Sequence, residues 1–385
     1  MTSRLCPHSE APNSGFFALE TAKDPNPKDL KMLFPQMILR RVPLLGIILA
    51  LAACSKNETK PIKEPTDAVA ATKNEQRDSI TLYSGRSQVL IEPLLTEFTQ
   101  RTGIKVDVRY DKSTQNLATR LLSEGAQSKA DVFFAQDSGY LGALAKQNVL
   151  AQLPEALLAL VPATHRDAQG KWIATSGRAR VLVYDPSAVQ PDDLPKTLSE
   201  LTDSKWKDKL GWAPGNASFQ AHVSALRHLW GEEKAAEWLS KIKDLNPKTY
   251  PKNSPQVKGV SNGEIQIGWV NHYYLHKLKA ANPELKAANY SFSQAQDAGN
   301  VMMLSGIGIV SHSKKKEAAQ KLVEHLLSEK SQQHFTTKIY EYPTRTGIKA
   351  NAALPDISSL MSHVPQEHLA DVGGTLKMLR DLKLQ

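Results

Sequence analysis

The sequence predicts an α/β fold with two lobes, on three observations. Short apolar strands alternate with amphipathic helical stretches between residues 79 and 145, which is typical of a parallel, doubly wound sheet. Apolar, β-rich segments alternate with helical stretches again from Arg180 onward, so we expect a second lobe. The apolar segment 301–310 then returns after that second lobe. Two α/β lobes joined by more than one crossing strand form a clamshell.

The first lobe is predicted from three strands and the helices between them. The strands are expected at 79–83, 104–110 and 131–135, and apolar residues at helical spacing follow each of them. Ligands of doubly wound sheets bind beyond the carboxyl ends of the strands. We therefore expect the loops after Tyr83 and Ala135 to form the rim of a pocket.

The second lobe is predicted from strands that are separated by loops and helices. Val181–Tyr184 is apolar and ends at the breaker Asp185-Pro186. A helix is expected through Val223, Leu226, Leu229 and Trp230, and another over 315–327, after the return crossing. Two more strands are expected at 210–212 and 265–270.

The N-terminus has the pattern of a bacterial lipoprotein signal. Arg40 and Arg41 precede the aliphatic stretch 44–53, which is shorter than the roughly 20 residues of a membrane-spanning helix. The stretch ends in Leu-Ala-Ala-Cys at Cys54, where signal cleavage would leave a cysteine to carry the lipid. Chance occurrence of a cysteine in a buried helix is the alternative. The sequence predicts an extracytoplasmic protein anchored by lipid to the periplasmic side of the cell membrane.

The whole chain is divided by these patterns into six parts. Only Cys6 and Cys54 are cysteines, so no disulfide framework is expected. We predict an N-terminal extension from a misassigned start codon at 1–36, a signal peptide at 37–53, a disordered tether at 54–78, a first lobe at 79–178 plus about 301–335, a second lobe at 180–300, and a C-terminal helical segment at about 336–385 packing with the second lobe.

The net charge of +9 is compatible with an anionic ligand, an anionic membrane or nucleic acid. Nucleic acid is not expected, because no basic run is interleaved with aromatic residues. An enzyme is not expected either. The chain lacks a Gly-x-Ser-x-Gly elbow, a His-Glu-x-x-His helix and paired carboxylates at a strand end, which argues against a lipid-anchored hydrolase.

Four separated segments carry a resemblance to a known family. They are Tyr-Ser-Gly-Arg-Ser at 83–87, Ala-Asp-Val-Phe-Phe-Ala-Gln-Asp at 130–137, Ser-Gly-Arg-Ala-Arg-Val-Leu-Val-Tyr at 176–184 and Asn-His-Tyr-Tyr at 271–274. In this order they resemble the periplasmic ferric-ion-binding proteins of bacterial ABC uptake systems. The resemblance spans about 80–346 and implies the type II periplasmic-binding-protein fold, with a doubly wound mixed sheet in each lobe and crossing hinge strands.

The resemblance implies a metal site built from tyrosines. Adjacent tyrosines after a second-lobe strand are the family's iron ligands, here Tyr273 and Tyr274, and Tyr184 is expected as a third. Ser87 and Gln136 stand where one subgroup has histidine and glutamate, so the chain is similar to the tyrosine-only members. Fe(III) prefers anionic oxygen ligands, which agrees with phenolates in a domain that lacks cysteine.

The same resemblance implies a synergistic carbonate or bicarbonate that completes the coordination of Fe(III). Arg86 is expected to hold this anion, with Arg178 as a further candidate, because a guanidinium matches the geometry of carbonate. The segment Asn216-Ala217-Ser218 matches the loop that holds the anion in phosphate-bearing relatives. Further candidate pocket residues are Ser84, Gln136, Asp137 and Asn271.

Several alternatives remain open at this point. His272 and His276 have the i, i+4 spacing that can bind zinc, although a surface or supporting role is favoured. Gln136 and Asp137 are either pocket residues or a helix cap. A clamshell receptor for a polyamine, an organophosphate or an oxyanion is the alternative function. The expected partners are an inner-membrane ABC permease and its ATPase, and the protein is expected to be a monomer.

Overall fold

The computed structural model describes residues 79–111 and 113–385. The predicted extension, signal peptide, lipidated Cys54 and tether lie outside the described residues. None of the helices within the described part of the chain combines the length and the apolar character needed to cross a bilayer.

Ten strands form the framework of the described residues. They are β1 (Ser79–Ser84), β2 (Lys105–Tyr110), β3 (Val132–Ala135), β4 (Ile173–Tyr184), β5 (Leu210–Trp212), β6 (Lys248–Thr249), β7 (Ile267–Asn271), β8 (Ala288–Tyr290), β9 (Met302–Ile309) and β10 (Tyr342–Pro343).

Helices connect these strands and cover the sheet. They are α1 (Gln88–Thr102), α2 (Thr114–Glu124), α3 (Gly139–Lys146), α4 (Glu155–Leu158), α5 (Ala217–Trp230), α6 (Glu232–Asp244), α7 (Asn253–Ser261), α8 (Tyr273–Ala281), α9 (Lys316–Leu326), α10 (Glu329–Lys338) and α11 (Val372–Asp381). A 3-10 turn at Gln366–Ala370 precedes α11.

The strands join in the order β2-β1-β3-β9-β4-β7-β5-β6, with β8 and β10 also paired to β4. The β1–β2 and β1–β3 pairs are parallel, whereas β9 is antiparallel to β3 and β4. Strand β4 changes partners along its length. Its first half pairs with β9 as far as Ala179, and its second half pairs with β7 from Arg180 onward. The predicted mixed α/β fold with crossing strands is confirmed.

Alternating side chains of the buried strands feed cores on both faces of the sheet. In β3, Val132 and Phe134 pack into one core with α1 and α9, while Phe133 and Ala135 pack into another with α2 and α3. This arrangement explains why the strand is apolar throughout instead of alternating with polar residues.

The second half of β4 follows the same rule. Leu182 and Tyr184 join a core with α5 and α6, whereas Val181 and Val183 face the core around α7. The boundaries of the two lobes, at 79–178 plus about 301–335 and at 180–300, stay predictions.

We expected the C-terminal segment to pack with the second lobe. In the structure it packs with the first lobe as well. Ile339 belongs to the core around α1 and α9, and β10 pairs with the first half of β4. The turn at 366–370 meets α3, where Ala370 lies against Gly139 and leaves no room for a Cβ atom at that glycine. Other parts of the segment do pack with the second lobe: Ile357 and Met361 join the core around α7, and Met378 and Leu379 of α11 join the core around α5 and α6.

Candidate metal and anion site

The tyrosine pair begins helix α8, directly after the buried strand β7. The rings of Tyr273 and Tyr274 stack with their centroids 4.3 Å apart and their planes at 28°. Tyr273 is buried and Tyr274 is half-buried. Two phenol oxygens from consecutive residues are therefore offered at one strand end, as the sequence analysis predicted for adjacent ligands.

Burial raises the pKa of Tyr273 well above its ordinary value, and Tyr274 adds to the rise while Arg178 opposes it. The phenol is therefore neutral at neutral pH in the absence of a metal ion. A bound cation has to displace its proton, as cations do with other protein ligands. Such a site discriminates in favour of a highly charged ion, because only strong attraction offsets the cost of ionising a buried phenol.

Tyr184 does not join this pair. In the antiparallel register of β4 and β7, Tyr184 lies opposite Ile267, whereas Asn271, which leads into the tyrosine pair, lies opposite Arg180. Four residues of strand separate the two positions by about 13 Å. The Tyr184 ring packs edge-on to Tyr290 in the core of the second lobe. We therefore correct the sequence prediction and leave Tyr184 out of the candidate ligand set.

Arg86 is fully buried and already has a partner that the sequence analysis did not assign to it. Its Nη1 and Nη2 donate to the two carboxylate oxygens of Glu341 at 3.1 and 2.9 Å. Nη1 also donates to Ser305 Oγ and Gln136 Oε1, each at 2.9 Å. Since an internal carboxylate occupies the guanidinium, the prediction that Arg86 holds an external anion is wrong.

Glu341 is as buried as its arginine partner. Burial by itself would raise the pKa of the Glu341 carboxyl, but Arg86 and Arg178 more than offset this and hold the pKa below its ordinary value. Ser176 Oγ donates a further hydrogen bond of 2.5 Å to the carboxylate. Glu341 is thus an ionised structural partner, and a metal ion would have to compete with two arginines for it.

Arg178 is occupied in a similar way. Its Nη2 donates to the backbone oxygen of Gln136 and, at 2.7 Å, to Asp137 Oδ1. Gln136 and Asp137 therefore serve the two arginines, and neither is an N-cap by its side chain. Ser84 shapes the turn before Arg86, where its Oγ accepts from the Arg86 backbone N–H at 3.1 Å.

Arg180 is the buried arginine without a carboxylate partner among the described residues. Its Nη1 donates to Asn271 Oδ1 at 3.0 Å, and weaker contacts reach Asn253 Oδ1 at 3.3 Å and Ser218 Oγ at 3.4 Å. Nη2 donates to the Trp269 backbone oxygen at 2.8 Å. No described residue offers its Nε a hydrogen-bond partner. A buried positive charge surrounded by neutral oxygens is incompletely compensated, which favours an anion nearby.

Burial lowers the pKa of Arg180 to about 9, and the two tyrosines of the pair act in the opposite direction. The guanidinium is therefore still charged at neutral pH. Because both Tyr273 and Tyr274 interact electrostatically with Arg180, an anion held there would lie near the phenols as well.

The start of α5 lies beside Arg180 and has the chemistry of an anion site. Asn216 caps the helix, since its Oδ1 accepts from the Ser218 N–H at 3.1 Å and from Ser218 Oγ at 2.6 Å. Asn253 Nδ2 reaches Ser218 Oγ at 3.2 Å. The N-terminus of a 14-residue helix carries unpaired backbone N–H groups and a positive dipole end, and Ala217 is its first residue.

His272 is buried and uses both ring nitrogens for backbone contacts. Nδ1 accepts from the Ala179 N–H at 3.1 Å, so Nε2 carries the proton and donates to the Tyr340 oxygen at 2.7 Å. Burial lowers the pKa of His272 to about 4. The ring of His276 stacks on Tyr340 at 5.2 Å. These contacts support the expected structural role in place of zinc binding, although His272 is buried and not on the surface.

No cluster of three or more His, Cys, Asp or Glu residues suited to a metal occurs within 79–111 and 113–385. The sequence analysis missed Arg180, Asn253 and the pairing of Glu341. The signal for Arg180 was present, because an arginine inside the apolar strand 178–184 must be buried and needs compensation. No local sequence pattern indicated that Glu341 would pair with Arg86, or Asp137 with Arg178.

Comparison with known proteins agrees with this architecture. The profile of the bacterial extracellular solute-binding protein family matches residues 127–361, which is more than half of the chain. The major ferric iron-binding protein of Neisseria meningitidis is 33% identical over 73% of this chain and 85% of its own length. The Fe(3+)-binding periplasmic protein of Serratia marcescens is 32% identical over 73% of this chain and 83% of its own.

Solved structures give the same result. Iron-bound HitA from Pseudomonas aeruginosa superposes with a TM-score of 0.73 and 33% identity, covering 79% of this chain and 99% of HitA. A Trichodesmium protein in complex with iron and citrate superposes with a TM-score of 0.71 and 29% identity over 80% of this chain and all of its own. The chain therefore belongs to the bacterial extracellular solute-binding proteins, with the type II periplasmic-binding-protein fold, and the Neisseria and Serratia relatives named above are ferric iron-binding proteins.

Proposed function

We propose that this chain captures Fe(III) outside the cytoplasm, with Tyr273 and Tyr274 as phenolate ligands and a carbonate held at Arg180. The observation that carries this proposal is a stacked tyrosine pair that begins two residues after Asn271, whose Oδ1 accepts at 3.0 Å from Arg180, the buried arginine without a carboxylate partner among the described residues. The names of the relatives, which are ferric iron-binding proteins, support the choice of iron.

The charges of such a site balance. Fe(III) brings three positive charges and the two phenolates cancel two of them. The Arg180 guanidinium adds one, so that two positive charges remain for a carbonate dianion to cancel. Arg86 and Arg178 do not enter this balance, because Glu341 and Asp137 already pair with them. A balanced set matters in a buried site, where an uncompensated charge is costly.

Carbonate would be held by a guanidinium fork and by the start of α5. Arg180 contributes the fork, and Asn253 and Asn271 contribute amide groups, while the Ser218 hydroxyl would turn its proton from Asn216 Oδ1 to the anion. The backbone at 216–218 adds the positive end of the helix. The anion would occupy coordination positions that the two tyrosines leave open, so that binding of metal and anion would be mutually dependent.

Around this site, the proposed role is that of a transport receptor and not of an enzyme. The protein would be anchored through lipid on Cys54 to the periplasmic side of the cell membrane, act as a monomer, and deliver iron to an ABC permease that is driven by its ATPase. Membership of a solute-binding family supports this role.

A receptor for an oxyanion or an organophosphate is the second candidate, because the Arg180 site could bind such a ligand without iron. A polyamine is not supported, since Asp137 and Glu341 are paired with arginines. Absorption spectroscopy separates the two candidates. Fe(III) added with bicarbonate should produce a visible iron–phenolate band that fails to form without bicarbonate. A colourless protein that binds oxyanions alone would contradict the iron proposal and favour the second candidate.

A further inference from the structure

Exposed lysines collect at the edge of the sheet where β1, β2 and β3 begin. Lys129, Lys314, Lys315 and Lys316, here called the lysine patch, are all exposed. Within residues 79–111 and 113–385, none of these four ammonium groups pairs with a carboxylate. The patch is therefore an unneutralised positive surface in the described part of the chain.

A buried aspartate fixes the position of the patch. Asp131 accepts from the Thr81 N–H at 2.8 Å through Oδ2 and from Ser313 Oγ at 2.6 Å through Oδ1. This arrangement joins β1, the start of β3 and the segment that leads into α9. His312 Nε2 lies 3.3 Å from the Ser128 oxygen, so the segment that leads into Lys129 contacts the segment that leads into the other three lysines. The lysines thus project from a rigid base.

Their place in the sequence opposes helix stability. Lys314, Lys315 and Lys316 stand at the N-terminus of α9, where the positive end of the helix dipole favours acidic side chains. Consecutive like charges also repel each other. The three lysines therefore cost stability where they lie, and a role other than holding the helix is needed to account for them.

The patch adjoins the point where the described chain begins. Lys315 Nζ donates to the Ser79 backbone oxygen at 2.6 Å. Cys54 precedes Ser79 by 25 residues, and a segment of that length spans at most about 85 Å whatever its conformation. If Cys54 carries lipid, the patch is the face of the domain next to the tether, which confines it to within about 85 Å of the bilayer.

We propose that the lysine patch binds the headgroups of anionic phospholipids in the membrane that holds the lipid anchor. The proposal rests on the anchor of the proposed function. Several lysines near an anionic bilayer are attracted to it, and the tether raises their effective concentration at the surface. A protein docked in this way is held in one orientation and does not turn freely on its tether.

That orientation keeps the far ends of β1 and β3 away from the lipid. The patch lies where β1 begins, whereas Arg86 and the loop after Ala135 follow the opposite ends of the strands. The six residues of β1 place about 20 Å between the two edges. Docking through the patch would therefore leave the loops that follow β1 and β3 facing the aqueous phase, from which iron arrives.

Energy transfer to the bilayer tests the proposal on the acylated, membrane-extracted protein. Gln127→Cys, beside the patch, and Gln190→Cys, on the second lobe, each supply an exposed labelling site, because Cys54 is the only other cysteine of the chain after cleavage. The labelled proteins are reconstituted in vesicles of phosphatidylcholine alone or with one third phosphatidylglycerol. A headgroup-labelled lipid is the acceptor.

We expect transfer from Gln127→Cys to be severalfold higher on the anionic vesicles and to fall in about 1 M salt, where the Debye length is about 3 Å. Transfer from Gln190→Cys should stay low. Replacing Lys314, Lys315 and Lys316 with Gln should shift the docking equilibrium on the order of a hundredfold, because each lysine contributes about a fivefold factor. The control is a second triple variant, in which Gln replaces the exposed Lys207, Lys258 and Lys349 and the net charge changes by the same amount.

Three outcomes are distinguishable in a flotation assay combined with the transfer measurement. Protein that floats with neither kind of vesicle overturns the anchor and the patch together. Protein that floats with both kinds of vesicle but shows equal transfer on both overturns lipid binding by the patch and leaves the anchor standing. This result is expected if the patch binds an acidic protein or a nucleic acid. A triple variant that behaves like its control also overturns the patch.

Discussion

Arg86 and Glu341 are 255 residues apart in sequence and form a bidentate ion pair that is closed to solvent, with Nη–Oε distances of 3.1 and 2.9 Å. The pair ties the turn after β1 to the segment that leads into β10. It also withdraws Arg86 from the anion site, which leaves Arg180 as the buried arginine of the described residues without a carboxylate partner.

Glu341→Gln should destabilise the protein by about 3–5 kcal/mol, because it leaves a buried arginine without its counter-charge. Urea unfolding at neutral pH measures the change. Removing both charges, with Arg86→Met and Glu341→Leu, should cost less than the single change. If the double variant is less stable than Glu341→Gln, this account is contradicted.

The same pair predicts a pH dependence. Since the pKa of Glu341 is lower in the folded protein than in the unfolded chain, its stabilisation is present above the unfolded value of about 4.3 and is lost as pH falls through the folded value. The difference in unfolding free energy between the wild type and Glu341→Gln should therefore narrow in acid. A difference that stays constant with pH would show that Glu341 is not ionised in the fold.

Tyr273→Phe and Tyr274→Phe should each weaken Fe(III) binding and reduce the iron–phenolate band, because one of the two phenolates is lost. The loss should exceed the roughly 10–100-fold effect of removing an outer-shell partner of a metal. Tyr184→Phe is the matched control, because its ring packs against Tyr290 in the core and lies away from the pair. Absorption titration decides the matter, and a loss of colour in Tyr184→Phe would restore Tyr184 as a ligand.

Arg180→Gln should weaken Fe(III) binding by about 1.5–3 kcal/mol, the value of a charge-assisted hydrogen bond, or roughly one to two decades in affinity. Excess bicarbonate should partly restore binding by mass action. Ser218→Ala should act in the same direction but by about 1 kcal/mol, since a neutral donor is lost. Titrations at low and high bicarbonate test this, and affinity that does not depend on bicarbonate in the wild type would refute the anion role.

His222 should make the protein sensitive to mild acid. The ring is fully buried against Trp269 and near Arg180, and burial, followed by Arg180, lowers its pKa to about 3. The imidazole is therefore protonated near pH 6.5 in the unfolded chain but stays neutral in the folded protein. This difference lowers the free energy of unfolding by about 2 kcal/mol between pH 7 and pH 5. His222→Gln should remove about this much from the loss of stability measured by urea unfolding, while His272, whose pKa burial lowers to about 4, keeps its own contribution. An unchanged slope would assign the acid sensitivity to other groups.

The mature protein should begin at Cys54 and carry lipid there. Its Leu-Ala-Ala-Cys signal motivates this expectation. Intact-mass measurement of membrane-extracted protein should give a chain that starts at Cys54 with acyl groups attached. Recovery of a soluble chain that retains residues 1–53 would disprove it.

Local patterns in the sequence determined much of this protein. Apolar strands between amphipathic helices predicted the mixed α/β fold, because burial on both faces of a sheet demands such strands. The tyrosine pair was placed correctly at the end of β7, since a strand that ends and a helix that begins are both visible in a few neighbouring residues.

Which side chains meet at the site depends on contacts between segments that are far apart in the sequence. Glu341 reaches Arg86 across the whole fold, and Asp137 reaches Arg178, so the two arginines that the sequence nominated for the anion are already neutralised. Tyr184 was separated from the other tyrosines by the antiparallel register of β4 on β7. Ion pairing and strand register depend on contacts between distant segments, and a buried charge acts according to its partners, which no local pattern specifies.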